Sequence, residues 1–170
     1  MGETWLVTGI PGSGKSTVAH KLASEFDRGV YISGDHLHDM IVGGQLEPDG
    51  EPRDEAERQV GLIQRNCCLL AQSFSEASFV PVIDWVVRHR RDLTAFLQGL
   101  SRCTVYLVVL APTLSIVQQR KPDAYRRWAY LQEDMTRDMR DVGLWVDPGD
   151  LTPEQIVESI LANKVGAELQ

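Results

Sequence analysis

Five short apolar runs punctuate the chain, and between them apolar side chains return every three or four positions. The runs, near residues 3–8, 29–33, 79–84, 104–110 and 143–146, predict strands, each short enough for a buried parallel sheet. The intervening periodicity predicts helices over most of 15–27, 35–43, 53–77, 90–100, 113–120, 124–140 and 153–165. On the first helix Val18, Leu22 and Phe26 form the apolar stripe; on the third, Val60, Ile63, Cys67, Leu70 and Phe74 do, which makes Cys67 a buried, inert core residue. Thr152-Pro153-Glu154-Gln155 opens the last helix with a cap residue, a proline in the first turn and an acid near the positive helix end. Strands that alternate with helices predict an α/β fold with a parallel sheet wrapped by helices.

One residue resists this reading. Pro81 lies inside the third apolar run, and its missing N–H would break a central ladder, so that strand is expected to begin at Pro81 or Val82. Between the second and third helices, Gly43-Gly44, Pro48-Asp49-Gly50 and Pro52 mark a polar loop about ten residues long, a length that often carries function in a compact domain. Lys121-Pro122-Asp123 breaks the chain again. There is no internal repeat or low-complexity tract, and residues 1–170 are expected to form one domain, burying roughly 70% of the unfolded surface.

Composition narrows the environment. The three cysteines, Cys67, Cys68 and Cys103, make neither a disulfide framework nor a metal-type spacing, which fits a reducing cytoplasm. The opening Met1-Gly2-Glu3-Thr4-Trp5 leads into the first strand without the pattern of a signal peptide. The longest apolar runs, such as 105–111, fall far short of the roughly 20 residues that span a bilayer, so no membrane partner is expected. A formal net charge of −7 disfavours a nucleic-acid backbone as partner. The one basic cluster, Arg88-His89-Arg90-Arg91, suffices for a single phosphate or polar substrate.

The candidate chemistry begins at Gly9-Ile10-Pro11-Gly12-Ser13-Gly14-Lys15-Ser16, followed by Thr17. It fits the pattern G-x-x-x-x-G-K-[ST] between a strand and a helix, in which backbone N–H groups curl around phosphates, the lysine reaches the outer phosphates and the serine hydroxyl ligates Mg²⁺. A nucleoside triphosphate with Mg²⁺ is the expected ligand. In an open parallel sheet, ligands bind beyond the carboxyl ends of the strands, so Asp35 should face the same crevice, there to take a proton from a substrate hydroxyl, to hold Mg²⁺ through water, or to cap its helix. Asp39, one turn on, and His38 are substrate candidates beside it. Asp84 closes the third apolar run and is the second acid available for metal or substrate. Arg120, with Arg126 or Arg127, is placed to neutralise charge on a transferring phosphate; Arg53 and Arg58 flank the start of the third helix as substrate candidates.

Together these residues resemble the small phosphate-loop kinases that include gluconate kinase, shikimate kinase and chloramphenicol phosphotransferase. Asp35-x-x-His38, Gly50-Glu51-Pro52 with Arg58, and Arg91-Asp92-Leu93 resemble gluconate kinase, whereas Arg127-Trp128-Ala129-Tyr130-Leu131 stands where that enzyme carries His-Phe and Ser-Gln. Asp35-His36-Leu37-His38-Asp39-Met40 resembles chloramphenicol phosphotransferase, where the first acid is taken as the base that activates the acceptor hydroxyl. The resemblance implies a P-loop NTPase fold, a three-layer sandwich around a five-stranded parallel sheet in the order 2-3-1-4-5. It further implies an acceptor-binding region at about 36–60, a lid at about 120–130, ATP as donor and a small hydroxylated acceptor, in a monomer or homodimer. Two other readings remain: a nucleotide-dependent switch, against which the nearest guanine-type string, Asn163-Lys164-Val165-Gly166, lacks its acid, and a polynucleotide 5′-kinase, against which the acidity counts.

Overall fold

The computed structural model describes residues 2–169. Five strands, β1 (Gly2–Gly9), β2 (Gly29–Ser33), β3 (Val80–Asp84), β4 (Cys103–Leu110) and β5 (Leu144–Val146), form one sheet in the order β2-β3-β1-β4-β5, with every neighbouring pair parallel. The helices are α1 (Lys15–Ser24), α2 (Gly34–Asp39), α3 (Arg53–Glu76), α4 (Arg90–Gly99), α5 (Leu114–Arg120), α6 (Pro122–Trp128), α7 (Tyr130–Met139), α8 (Pro153–Ala162) and α9 (Lys164–Ala167).

Side-chain alternation along the strands divides the core into two layers. On β1, Leu6 faces a cluster shared with Ile63, Phe96 and Met135 of α3, α4 and α7, while Trp5 and Val7 face Leu22 of α1 and Ile160 of α8. The central strand β4 repeats the division, with Val105, Leu107 and Val109 on one side and Tyr106, Val108 and Leu110 on the other. Helices thus cover both faces, and the carboxyl ends of β1, β2 and β3 open on the same edge. Cys67 is buried as the α3 stripe predicts, whereas Leu70 of the same stripe is 38% exposed.

Pro81 sits inside β3 rather than at its start. The ladder survives because Val80 donates its N–H to the Arg28 carbonyl, which by strand alternation turns the Pro81 nitrogen toward β1, and pairing with β1 begins only at Trp5 and Val82. Asp84 is thereby fixed at the end of the strand, opposite Ser33 on β2 and Val7 on β1.

Four helices differ from expectation, the first of them by ending at Ser24 rather than at 27. The helix expected over 35–43 stops at Asp39, because the chain turns to hydrogen-bond into α3, as detailed below. The helix expected over 124–140 starts earlier, with Pro122 in its first turn, and divides at Ala129, where Gln132 bonds the carbonyl three residues back instead of four. The last helix ends at Ala162, and Asn163 leads into the short α9.

Candidate active site

The segment 9–16 joins β1 to α1 at the carboxyl edge of the sheet. Gly9 has φ +153, and a Cβ there would lie 2.6 Å from the Leu110 carbonyl oxygen, so the loop leaves its strand where only glycine fits. Gly14, at φ +93, aims the chain into α1, and Ser13 N–H closes the turn on the Ile10 carbonyl at 3.0 Å. The first turn of α1 carries no acid, leaving its free N–H groups and positive helix end uncompensated. Lys15, only 6% exposed, lies in this concave wall without an anionic partner among the described residues. A cavity of ≈ 330 Å³ opens there, walled by Gly12 to Val18, by Arg120 and Lys121 at the α5–α6 junction, and by Pro148, Leu151, Pro153 and Ile156. Arg120 donates to the Gly149 carbonyl at 3.3 Å, tying that junction to the loop after β5. The wall has two characters, cationic on one side and apolar on the other, which suits a polyphosphate joined to a flat heterocycle.

Asp84, 2% exposed, ends β3 between β1 and β2 at the same edge of the sheet. Its Oδ2 accepts a hydrogen bond from the Tyr31 hydroxyl at 3.0 Å, whereas its buried Oδ1 has no partner among the described residues. Burial raises the Tyr31 phenol above its ordinary pKa, with the Asp84 charge acting in the same direction and the neighbouring Ser33 and Ser16 hydroxyls only partly offsetting it, so the phenol stays protonated and donating. A buried carboxylate oxygen without a donor is expensive unless a cation completes it. Together with the Ser16 hydroxyl it provides the hard oxygen ligands that Mg²⁺ takes when phosphates and water supply the rest. No group of three or more His, Cys, Asp or Glu residues able to hold a metal occurs among the described residues, so these two oxygens depend on such a co-ligand.

Asp35 lies in the first turn of α2, but the cap is Ser33, whose Oγ accepts from His36 N–H at 3.2 Å. The Asp35 carboxylate is exposed and makes no hydrogen bond or ion pair among the described residues. His38 is committed elsewhere: it is 9% exposed, its Nε2 bonds the Leu46 carbonyl at 2.8 Å and its Nδ1 meets Gln45 Nε2 at 3.1 Å. Because a carbonyl only accepts, Nε2 carries the proton and Nδ1 accepts. Gln59 completes the anchoring, accepting from Leu46 N–H at 2.9 Å and donating to the Gly44 carbonyl at 2.8 Å. Segment 40–52 is therefore a fixed loop built around His38 and Gln59. Asp39 accepts a bond from Gln45 at 3.4 Å.

The arginines mostly face this chain's own acids. Arg53 pairs with Glu57 at 3.5 Å and donates to the Pro48 carbonyl at 3.1 Å; Arg58 pairs with Glu55 at 2.8 Å. Arg127 reaches across from α6, away from the cavity wall, to grip Asp49, with Nε 2.9 Å from Oδ2, and lies 3.9 Å from Glu47. Arg126 pairs with Asp123 on its own helix. The basic cluster is likewise absorbed: Arg88 meets Asp134 at 2.6 Å, His89 meets Asp138 at 2.8 Å and Arg90 pairs with Asp141, all carboxylates on or just after α7.

The family model for an AAA domain matches residues 5–140. The chain belongs to the AAA domain family. That match covers the phosphate loop, Asp35, Asp84 and α5 to α7, but not the Pro148–Ile156 wall. Solved structures share the whole architecture. A sugar kinase from Janibacter sp. HTCC2649 is 17% identical with a TM-score of 0.71, covering 98% of this chain and 96% of its own. A gluconokinase from Sinorhizobium meliloti 1021 is 19% identical with a TM-score of 0.65, covering 96% and 91%. Shikimate kinase from Aquifex aeolicus is 19% identical with a TM-score of 0.67, covering 96% of both chains. At these identities the likeness is one of fold, a P-loop kinase fold. No curated protein matches the sequence. No helix among the described residues is long and apolar enough to cross a membrane.

Three features of the site escaped the sequence reading. Lys121 lines the cavity beside Arg120, Leu151 and Pro153 supply its apolar wall, and Tyr31 donates to the Asp84 carboxylate. The turn-rich Pro148-Gly149-Asp150-Leu151 after β5 was the available signal for the wall. For Tyr31 there was none, since its partner lies 53 positions away.

Proposed function

We propose that this protein transfers the γ-phosphate of Mg²⁺-bound ATP to a hydroxyl of a small molecule. The observation that carries this reading is the unpaired Asp35 carboxylate on the same sheet edge as the phosphate loop, with the orphaned Asp84 oxygen between them. Loop N–H groups from Gly9 to Thr17 and the Lys15 ammonium hold the phosphates, and the purine lies against the Leu151 and Pro153 side of the cavity. Ser16 and Asp84 hold the Mg²⁺, which, when bound, neutralises phosphate charge. Asp35 accepts the acceptor hydroxyl's proton as the new O–P bond forms, and Arg120 stabilises the transferring group. Residues 120–130 act as the lid and 36–60 as the acceptor region, with Arg127 joining the two through Asp49 instead of touching nucleotide. Three buried thiols suit the reducing cytoplasm.

Charge narrows the acceptor. Residues 35–58 hold eight carboxylates against two arginines, and Arg53, Arg58, Arg88 and Arg127 are all engaged by this chain's carboxylates. An acidic acceptor would have to displace one of those carboxylates and approach the others. A neutral or amine-bearing polyhydroxy compound meets no such opposition, and exposed Asp35 and Asp39 offer it hydrogen-bond acceptors.

The test is Mg-ATP-dependent ADP release over a panel of sugars, amino sugars, sugar acids, nucleosides and hydroxylated antibiotics, run beside Asp35→Asn protein. Saturable release with one compound class, reduced at least ~100-fold by Asp35→Asn, is the expected result. Near-normal turnover in Asp35→Asn protein sinks the base role. A flat panel with intact ATP binding shifts the reading to a switch or a polynucleotide kinase.

A further inference from the structure

Where β2 and β3 end, the two chains part. Ser33 pairs with Asp84 in the last rung of the ladder; the next residue on one chain, Gly34, opens α2, and the next on the other, Trp85, crosses to β1. Trp85 belongs to the core and is 6% exposed, and the backbone its ring packs against is that of Gly34. A Cβ on residue 34 would lie 2.7 Å from Cδ2 and 2.9 Å from Cζ3 of the indole, and closer still to Cε3. Gly34 has no positive φ, so the ring and not the backbone conformation demands glycine here.

Trp85 is itself held to the strand that delivers the phosphate loop. Its backbone N–H donates to the Val7 carbonyl at 3.3 Å, and two residues on the Val87 N–H donates to the buried Thr8 Oγ1 at 2.8 Å. Thr8 is the residue before Gly9. A continuous series of contacts therefore runs from the start of the loop through Thr8, Val87 and Trp85 to Gly34, and Asp35 comes next. The Asp35 carboxylate makes no hydrogen bond or ion pair among the described residues, so its place is set by the backbone of the first turn of α2.

We propose that Trp85 is a positioning residue for Asp35: its indole is the spacer that sets the first turn of α2, and with it the Asp35 carboxylate, relative to the phosphate loop. What Asp35 does there rests on the phosphotransfer reading above; where it stands rests on these contacts alone. Carbon atoms pack best about 3.5–4.0 Å apart, so a methyl group on residue 34 would force ring and helix apart by roughly 1 Å. A displacement of about that size at a reacting centre lowers the rate by ~100-fold. Intrinsic helix propensity favours alanine over glycine and so predicts no loss from the same substitution.

The experiment compares wild type, Gly34→Ala, Trp85→Phe and the double variant. Crystal structures superposed on β1 and residues 9–16 read the position of the Asp35 Cα; Mg-ATP-dependent phosphotransfer to the panel compounds above reads kcat, and calorimetry reads the affinity for a non-hydrolysable ATP analogue. Gly34→Ala is expected to move the Asp35 Cα by about 1 Å. It should lower kcat by at least ~10-fold while analogue affinity stays within about twofold of wild type. Trp85→Phe removes part of the ring that the methyl group meets, so the double variant should recover most of both losses. Three results overturn the proposal: an Asp35 that does not move in Gly34→Ala because the indole yields instead, an equal fall in kcat and analogue affinity, or effects of the two substitutions that simply multiply. Should either single variant fail to fold, the displacement in the other decides, with Trp85→Phe expected to let Asp35 shift toward the vacated space; failure of both assigns the contact to stability and overturns the proposal. If wild type phosphorylates no panel compound, the phosphotransfer reading falls while the displacement still judges the spacer; if Asp35 stays in place and wild type is active, that reading stands.

Discussion

At Gly9 a single methyl group would decide between two backbone positions. The Cβ of an alanine would stand 2.6 Å from the Leu110 carbonyl oxygen and 2.5 Å from Ser13 Oγ, at a φ of +153 that side chains rarely adopt. Ser13 can rotate, but β4 cannot move without disturbing its ladder with β1. Gly9→Ala is therefore expected to cost about 1–3 kcal/mol of stability and to distort the loop enough to lose ATP-analogue affinity; thermal melts and calorimetry check both. A fall in neither would mean that the loop relaxes around the strand end. The cysteines make a contrasting prediction. Burial pushes the Cys67 thiol up to about 12 and the Cys68 thiol up to about 11, so almost no thiolate exists near pH 8. Native protein should leave both unmodified by a thiol reagent over hours and react fully once unfolded, read by mass spectrometry. Rapid native labelling at Cys67 would show that α3 opens locally.

Between elements, the prominent devices are ionic. α6 is held to the 40–52 loop by Arg127 and Asp49, and Asp134, Asp138 and, just after α7, Asp141 hold that helix to residues 88–90 at the start of α4. Hydrogen bonding from Arg127, Arg88 and Arg90 respectively holds Asp49, Asp134 and Asp141 below their ordinary carboxylate pKa. A carboxylate whose folded pKa is depressed lends stability that is full above its unfolded value, near pH 4, and lost as pH falls through the lower folded value. Stability should thus decline below about pH 4, and Asp134→Asn should flatten that decline while lowering the melting temperature at pH 7. Melts from pH 7 to pH 3 measure both, and an unaltered acid slope in Asp134→Asn would assign the decline to other groups. Because the Arg127 contact is exposed, Asp49→Asn should change global stability by less than ~1 kcal/mol. Its effect is expected in faster proteolytic cleavage near 121–129, where the remaining ion pair from α6 to the loop is the longer Arg127–Glu47 contact of 3.9 Å.

For the whole molecule, the boundary between what the sequence revealed and what it hid follows the range of the interactions. The strands of a parallel sheet, buried on both faces, write themselves as apolar runs, and the phosphate loop is contiguous, so both were legible; the order of the strands came through the family resemblance. Pro81 misled because its effect depends on which neighbour its nitrogen faces, a property of register rather than of local pattern. His38 read as a substrate residue because its partners, Leu46 and Gln45, come from a loop whose path no periodicity encodes. Tyr31 with Asp84, and Arg127 with Asp49, were illegible for the same reason at separations of 53 and 78 residues. Summed over the chain, such pairings consume most of the cationic side chains around the acceptor region, and the formal net charge of −7 is almost entirely the excess of acids in residues 35–58. That distribution predicts discrimination by charge. For acceptors matched in size, such as an amino sugar and the corresponding sugar acid, kcat/KM should favour the amine-bearing compound by at least ~10-fold at low salt, with the preference shrinking as ionic strength rises and screening shortens the field. Replacing Asp39 with Asn should narrow the ratio, lowering kcat/KM for the amine-bearing acceptor more than for a neutral sugar. A preference for the sugar acid, or a ratio indifferent to salt, would mean that the arginine pairs open on binding and that the acidic loop is not what selects the acceptor.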